Sequence, residues 1–138
     1  MFTMFTVAWM MTALIVVAGG CHWARSASAD ASSGRGDFRH VVVFKFIDAP
    51  EKTVGQIEQA FAVLPDKIKQ IRHFEWGRID SIEGLDKGFT HSFILSFDSA
   101  ADCRVYLDHP DHQSFVAMVK PLVEAGQLEV FVFDYVAQ

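Results

Sequence analysis

Runs of lysine or arginine are missing from this chain, and its 12 basic residues are outnumbered by 17 acidic ones. A net charge of −5, with no basic run to form the clustered face that a phosphate backbone requires, argues against a nucleic-acid partner. Cysteine is nearly absent too. Cys21 and Cys103 are the two present, too few for the disulfide framework of a small secreted scaffold. No HExxH or His-x3-His spacing occurs, and His109 and His112, three apart across a proline, are a weak match, so spacing along the chain predicts no metal site. "EGLDKG" lacks the spacing of a phosphate loop, and nothing marks a serine as a strained nucleophile. Charge of either sign is also lacking at the start, where the first charged side chain is Arg25.

That uncharged opening, "MFTMFTVAWMMTALIVVAGGC", is mostly apolar and ends in two glycines and a cysteine. A short apolar core followed by small residues has the composition of an export signal. "VAGGC" resembles a bacterial lipobox, with cleavage after Gly20 leaving Cys21 as the lipidated first residue, although Ala18 stands where leucine is usual. The alternative is an uncleaved anchor, because about twenty apolar residues are enough to span a bilayer. Either reading exports the domain and holds it at a membrane. Residues 1–20 are therefore read as a lipoprotein-like signal peptide or a membrane anchor. Residues 21–37, small and serine-rich, are read as a flexible tether. Residues 38–138 form one domain of ordinary size.

What the domain has in quantity is phenylalanine, 13 in the whole chain, which implies a crowded aromatic core or a buried interface. "FRHVVVFKFI" places Phe38, His40, Val42, Phe44 and Phe46 on one face and Arg39, Val41, Val43, Lys45 and Ile47 on the other, a strand covered on both sides. Pro50 opens a helix whose stripe is Val54, Ile57, Phe61 and Leu64, interrupted by Pro65. "HFEWGRI" and "FTHSFILSF" are the second and third strands, the latter with Phe89, His91, Phe93, Leu95 and Phe97 sharing a face. "DSAAD" starts a helix that runs to about Leu107, with Ser99 and Asp102 spaced as a capping box. A second helix begins near Pro110 with Phe115, Met118, Val119 and Leu122 as its stripe, and "LEVFVFDYV" is the last strand. This order predicts an α+β, ferredoxin-like βαββα(α)β domain with the helices on one sheet face. The other face, carrying phenylalanines and histidines, has no cover of its own. A second copy closing sheet on sheet is the simplest shield.

"HVVVFKF", "FEWG", "GFTHSFILSF", "YLDHPDHQSFV" and the closing "VFDY" together resemble the stress-responsive A/B barrel (Dabb) family, over about residues 38–136. The resemblance implies a homodimeric α/β barrel and a stress-related protein. In one branch, a plant polyketide cyclase, a tyrosine and a histidine in a Tyr-x-x-His-Pro-x-His pattern close a chain by aldol-type cyclisation without cofactor or metal. Carried over by motif, that pair is Tyr106 and His112. The other histidines associated with the cavity are His40 and His91, as ligand-orienting groups.

Chemically the pair is coherent, since a carbon acid beside a carbonyl needs a base that titrates near neutrality and a donor for the developing enolate oxygen. Structural roles compete with it. Pro110 sets a helix entry that His109 and Asp111 can cap, Tyr106 can simply bury its ring, and His40 can pair with His91 across the core. Cys103, at helical spacing, reads as a small buried apolar residue, and His22 and His73 as surface residues. Three functions remain: a binding or protective protein with a small apolar ligand, a cyclase- or lyase-like enzyme without a cofactor, and a structural self-assembling protein.

Overall fold

The computed structural model describes residues 37–138. The signal or anchor over 1–20, lipidation at Cys21, His22 and all but the last residue of the tether over 21–37 lie outside the described residues.

Eight elements follow in chain order: β1 (Phe38–Phe46), α1 (Glu51–Ala62), α2 (Leu64–Lys67), β2 (His73–Arg78), β3 (His91–Phe97), α3 (Ala100–Asp108), α4 (Pro110–Glu124) and β4 (Leu128–Val136). The four strands form one antiparallel sheet in the order β2-β3-β1-β4. This is the ferredoxin-like α+β plan. β1 takes a central place because its valines and phenylalanines suit a pleated surface buried on both sides. Pro50 is the residue before the first turn of α1 rather than part of it, and Phe89 precedes β3 instead of belonging to it.

The core lies between the sheet and its helices, with Phe93 at the centre, fully buried. Its ring stacks on Phe61 at 4.2 Å and on Trp76 at 5.6 Å, and meets Phe44 at 5.3 Å. Truncating such a phenylalanine to alanine costs about 3–5 kcal/mol, because the surrounding rings relax only partly into the hole. Val54, Ile57, Phe61 and Leu64 are buried as their spacing predicts, as are Phe115, Val119 and Leu122, whereas Met118 is exposed.

The uncovered sheet face is the opposite of the one expected. His40 and His91 lie on the helix-covered side, because residue alternation carries them with Phe44, Phe93 and Phe97 toward α1, α3 and α4. The open side holds Val41 and Val43, Ile94, and the β4 row Phe131, Phe133 and Tyr135. Those three β4 aromatics are 54%, 42% and 45% exposed, a continuous apolar strip on an edge strand. On the helix side β4 is also thinly covered, since Val130 and Val132 remain exposed. That gap in the helix layer is where the cavity opens.

Candidate functional site

α3 and α4 meet at one residue, His109, which closes the first helix and precedes the second. Proline at the next position disfavours helical backbone there, and His109 is extended at φ −67° and ψ 136°. Its Nδ1 accepts from the Asp111 backbone N–H at 3.2 Å, so the motif's capping role is present. The resulting corner sets Tyr106, in the last turn of α3, against His112, in the first turns of α4, with ring centroids 4.4 Å apart and planes at 51°.

His112 Nδ1 lies 2.9 Å from the Leu107 carbonyl oxygen. A carbonyl can only accept, so Nδ1 carries the proton and Nε2 of the neutral ring keeps a lone pair. Burial pushes the His112 pKa below its ordinary value, opposed by the Leu107 hydrogen bond and reinforced by His40 and His109. The imidazole is therefore neutral at physiological pH, with a defined tautomer. Tyr106 is fully buried, and burial, followed by nearby Cys103, holds its phenol well above the usual range, so the hydroxyl stays protonated and can donate.

His40 rises from β1 directly across from Asp134 of β4, and its Nδ1 makes a 2.7 Å contact with the Asp134 carboxylate. Its ring meets Tyr106 edge-on at 5.9 Å. His40, Tyr106, His112 and Asp134 line one cavity of about 530 Å³. The remaining wall is mainly valine and phenylalanine, including Val42, Phe44, Phe115 and Val132, with exposed Lys120 at its rim. Three of the four side chains singled out by sequence are thus gathered in one place.

His91 is not among them. It sits on the same sheet face but outside the cavity lining, opposite Phe44 where His40 is opposite Leu95, so the two histidines do not pair. Its Nε2 contacts Glu58 at 2.9 Å and its Nδ1 contacts the Thr90 hydroxyl at 2.8 Å. Burial pushes the Glu58 carboxyl up, but hydrogen bonds from Arg78 and His91 outweigh it and hold the group below the usual carboxylate value. His91 belongs to a hydrogen-bonded network with Thr90, Glu58 and Arg78 beside α1.

Spacing alone assigns no role to Asp134, although the closing "VFDY" block contains it. Cys103 is likewise brought close, with donor atoms of His40, Cys103 and Asp134 all within 4.8 Å of one another. No sequence pattern links these three, because each comes from a different element.

A neutral imidazole with one free lone pair, a protonated phenol beside it and an apolar wall are chemically equipped to exchange a proton with a bound ligand, on a ferredoxin-like α+β scaffold. Residues 38–137 match the family described as the Stress responsive A/B Barrel Domain, and the chain belongs to that family. It is 34% identical over 104 residues to the stress-response A/B barrel domain-containing protein HS1 of Arabidopsis thaliana, covering 73% of this chain and 90% of that one. Over 100 residues it is 28% identical to olivetolic acid cyclase of Cannabis sativa, covering 70% of this chain and 93% of the cyclase. A Bacteroides fragilis crystal structure, described as a dimeric protein with a ferredoxin-like fold, superposes with a TM-score of 0.58 at 25% identity, covering 75% of this chain and 98% of that one.

Proposed function

We propose that this protein is an enzyme that removes a proton from carbon beside a carbonyl group in an apolar, polyketide-like ketone, the step that begins an aldol-type ring closure. His112 Nε2 is the base. The Tyr106 hydroxyl donates to the oxygen on which enolate charge develops, and the apolar wall keeps water from competing for it. The observation that carries this reading is the 2.9 Å hydrogen bond from His112 Nδ1 to the Leu107 carbonyl, which aims an unprotonated nitrogen away from the backbone beside Tyr106. Similarity to a relative named as a cyclase supports the same choice.

The test offers linear poly-β-ketone substrates to the purified protein and follows ring-closed products by mass spectrometry. His112→Ala is expected to lower kcat/KM by about 100- to 10,000-fold, the usual contribution of a positioned base. Tyr106→Phe is expected to give a smaller loss, with ligand affinity retained in both. Turnover by His112→Ala at the original rate would sink the reading. Tight binding of the ketones without conversion, unaffected by His112→Ala, would instead favour a binding or protective role, which the mostly apolar lining also suits.

The working unit is a homodimer in which two copies close their open sheet faces over Phe131, Phe133 and Tyr135. The exposure of these aromatics supports this, as does the dimeric description of the Bacteroides fragilis protein. The domain is exported and membrane-tethered through lipid on Cys21, on the strength of "VAGGC". Cys21→Ser should move the protein from the membrane to the soluble fraction, and an unchanged distribution would favour the uncleaved anchor.

A further inference from the structure

We propose that His40, Cys103 and Asp134 form a binding site for one divalent transition-metal ion of the zinc class, set into the wall of the cavity. Three elements supply the donors: β1, α3 and β4. Their ligand atoms lie within 4.8 Å of one another. Bond lengths of about 2.0–2.3 Å around a tetrahedral ion put neighbouring donors about 3.3–3.8 Å apart, so only small side-chain adjustments are required. The His40 and Cys103 side chains are almost wholly buried on packed elements, with residue exposures of 5% and 3%. Asp134 sits on the edge strand with its side chain 45% exposed, and its carboxylate exchanges the 2.7 Å contact with His40 Nδ1 for the ion.

The donor chemistry selects the ion. Calcium and magnesium demand oxygen ligands, whereas a thiolate, an imidazole and one carboxylate suit a borderline-soft cation that accepts four ligands. Three protein ligands leave one position vacant, the arrangement of catalytic rather than structural zinc sites. His40 and Asp134 both line the cavity, so the vacant position opens toward any ligand held there. Binding opens the His40–Asp134 hydrogen bond and breaks the Cys103 S–H bond: metal–oxygen and metal–sulfur bonds form, the imidazole ligates through the nitrogen that carries no proton, and the thiol proton passes to solvent. In the metal-free site burial, followed by the Asp134 charge, keeps that thiol protonated up to about 11, and the cation's charge takes the proton's place.

This site stands independently of the proton-transfer reading, because none of its donors is the proposed base or phenol. Cobalt(II) is the probe, added to the full chain after stripping with a chelator. One equivalent per chain is expected, with tetrahedral d–d absorption and a thiolate-to-cobalt charge-transfer band, both removed by added zinc(II). Cys103→Ser should abolish the charge-transfer band, and Asp134→Asn should weaken binding at least tenfold. Cys21→Ser should leave both readouts unchanged, which separates this site from Cys21 and His22 near the N-terminus. No band in the wild type, or a band lost in Cys21→Ser but retained in Cys103→Ser, would overturn the proposal. Should Cys103→Ser fail to fold by circular dichroism, the exposed Asp134→Asn variant decides: affinity within twofold of the wild type overturns the site, and a tenfold loss upholds it.

Discussion

His112 owes its tautomer to the carbonyl of Leu107, a group left without an intrahelical partner at the end of α3. That bond settles which nitrogen holds the proton, and burial settles that the ring is neutral. The pH dependence follows from the same burial. Folding lowers the His112 pKa from an ordinary value of 6.5, so on acidification the unfolded chain takes up this proton before the folded one does. The stabilisation from neutral His112 is complete above pH 6.5 and is lost as pH falls through the lower, folded value. Thermal melts from neutral to acid pH should therefore show a stability loss below 6.5 that His112→Gln flattens, and an unchanged slope in the variant would refute it. Tyr106 and His112 were legible in the chain because their motif is local. Asp134 was not, because the residue it serves, His40, is 94 positions away.

Among the elements, α3 decides where the tyrosine goes. Its start is fixed by Ser99, whose hydroxyl accepts from the Asp102 N–H at 3.1 Å and donates to the Asp102 carboxylate at 2.6 Å. Ser99→Ala should lower stability by about 1 kcal/mol, the usual value of an N-cap, measurable by urea unfolding. Amide exchange should speed up in the first turn of α3 while the β1 amides keep their protection. Equal loosening of both would mean that the cap is not local. The element order and most helix stripes could be read directly, since periods of 2 and 3.6 are backbone properties. Met118 departs from its predicted burial because the stripe of α4 is narrower than its apolar composition: Phe115, Val119 and Leu122 turn inward while Met118 stays outside.

At the scale of the molecule, the open sheet face leaves three aromatics of β4 about half exposed. Val41 faces Phe133 and Val43 faces Phe131 across the β1–β4 ladder, so a charge in that strip would lie in the middle of the proposed sheet-on-sheet contact. Phe133→Glu is expected to convert a dimer to a monomer in sedimentation equilibrium. The fold should survive, because Phe133 is already 42% exposed within one chain. A wild-type chain that sediments as a monomer at high concentration would remove the dimer. Alternation in β1 showed that both faces of the sheet are apolar, yet not which one the helices would choose. That choice depends on the register of β1 with β3 and β4, which no local pattern encodes.

By itself the sequence determined the class of the fold, the order of its elements and the adjacency of Tyr106 and His112, because all three rest on backbone periodicity and a short motif. Only the tertiary structure decided that His40 joins that pair while His91 goes to Glu58, that Asp134 and Cys103 come within reach of His40, and that β4 rather than β1 presents the exposed aromatics. The physical reason is pairing at long range: strand register and the gap left by the helices over β4 bring together side chains that are distant along the chain.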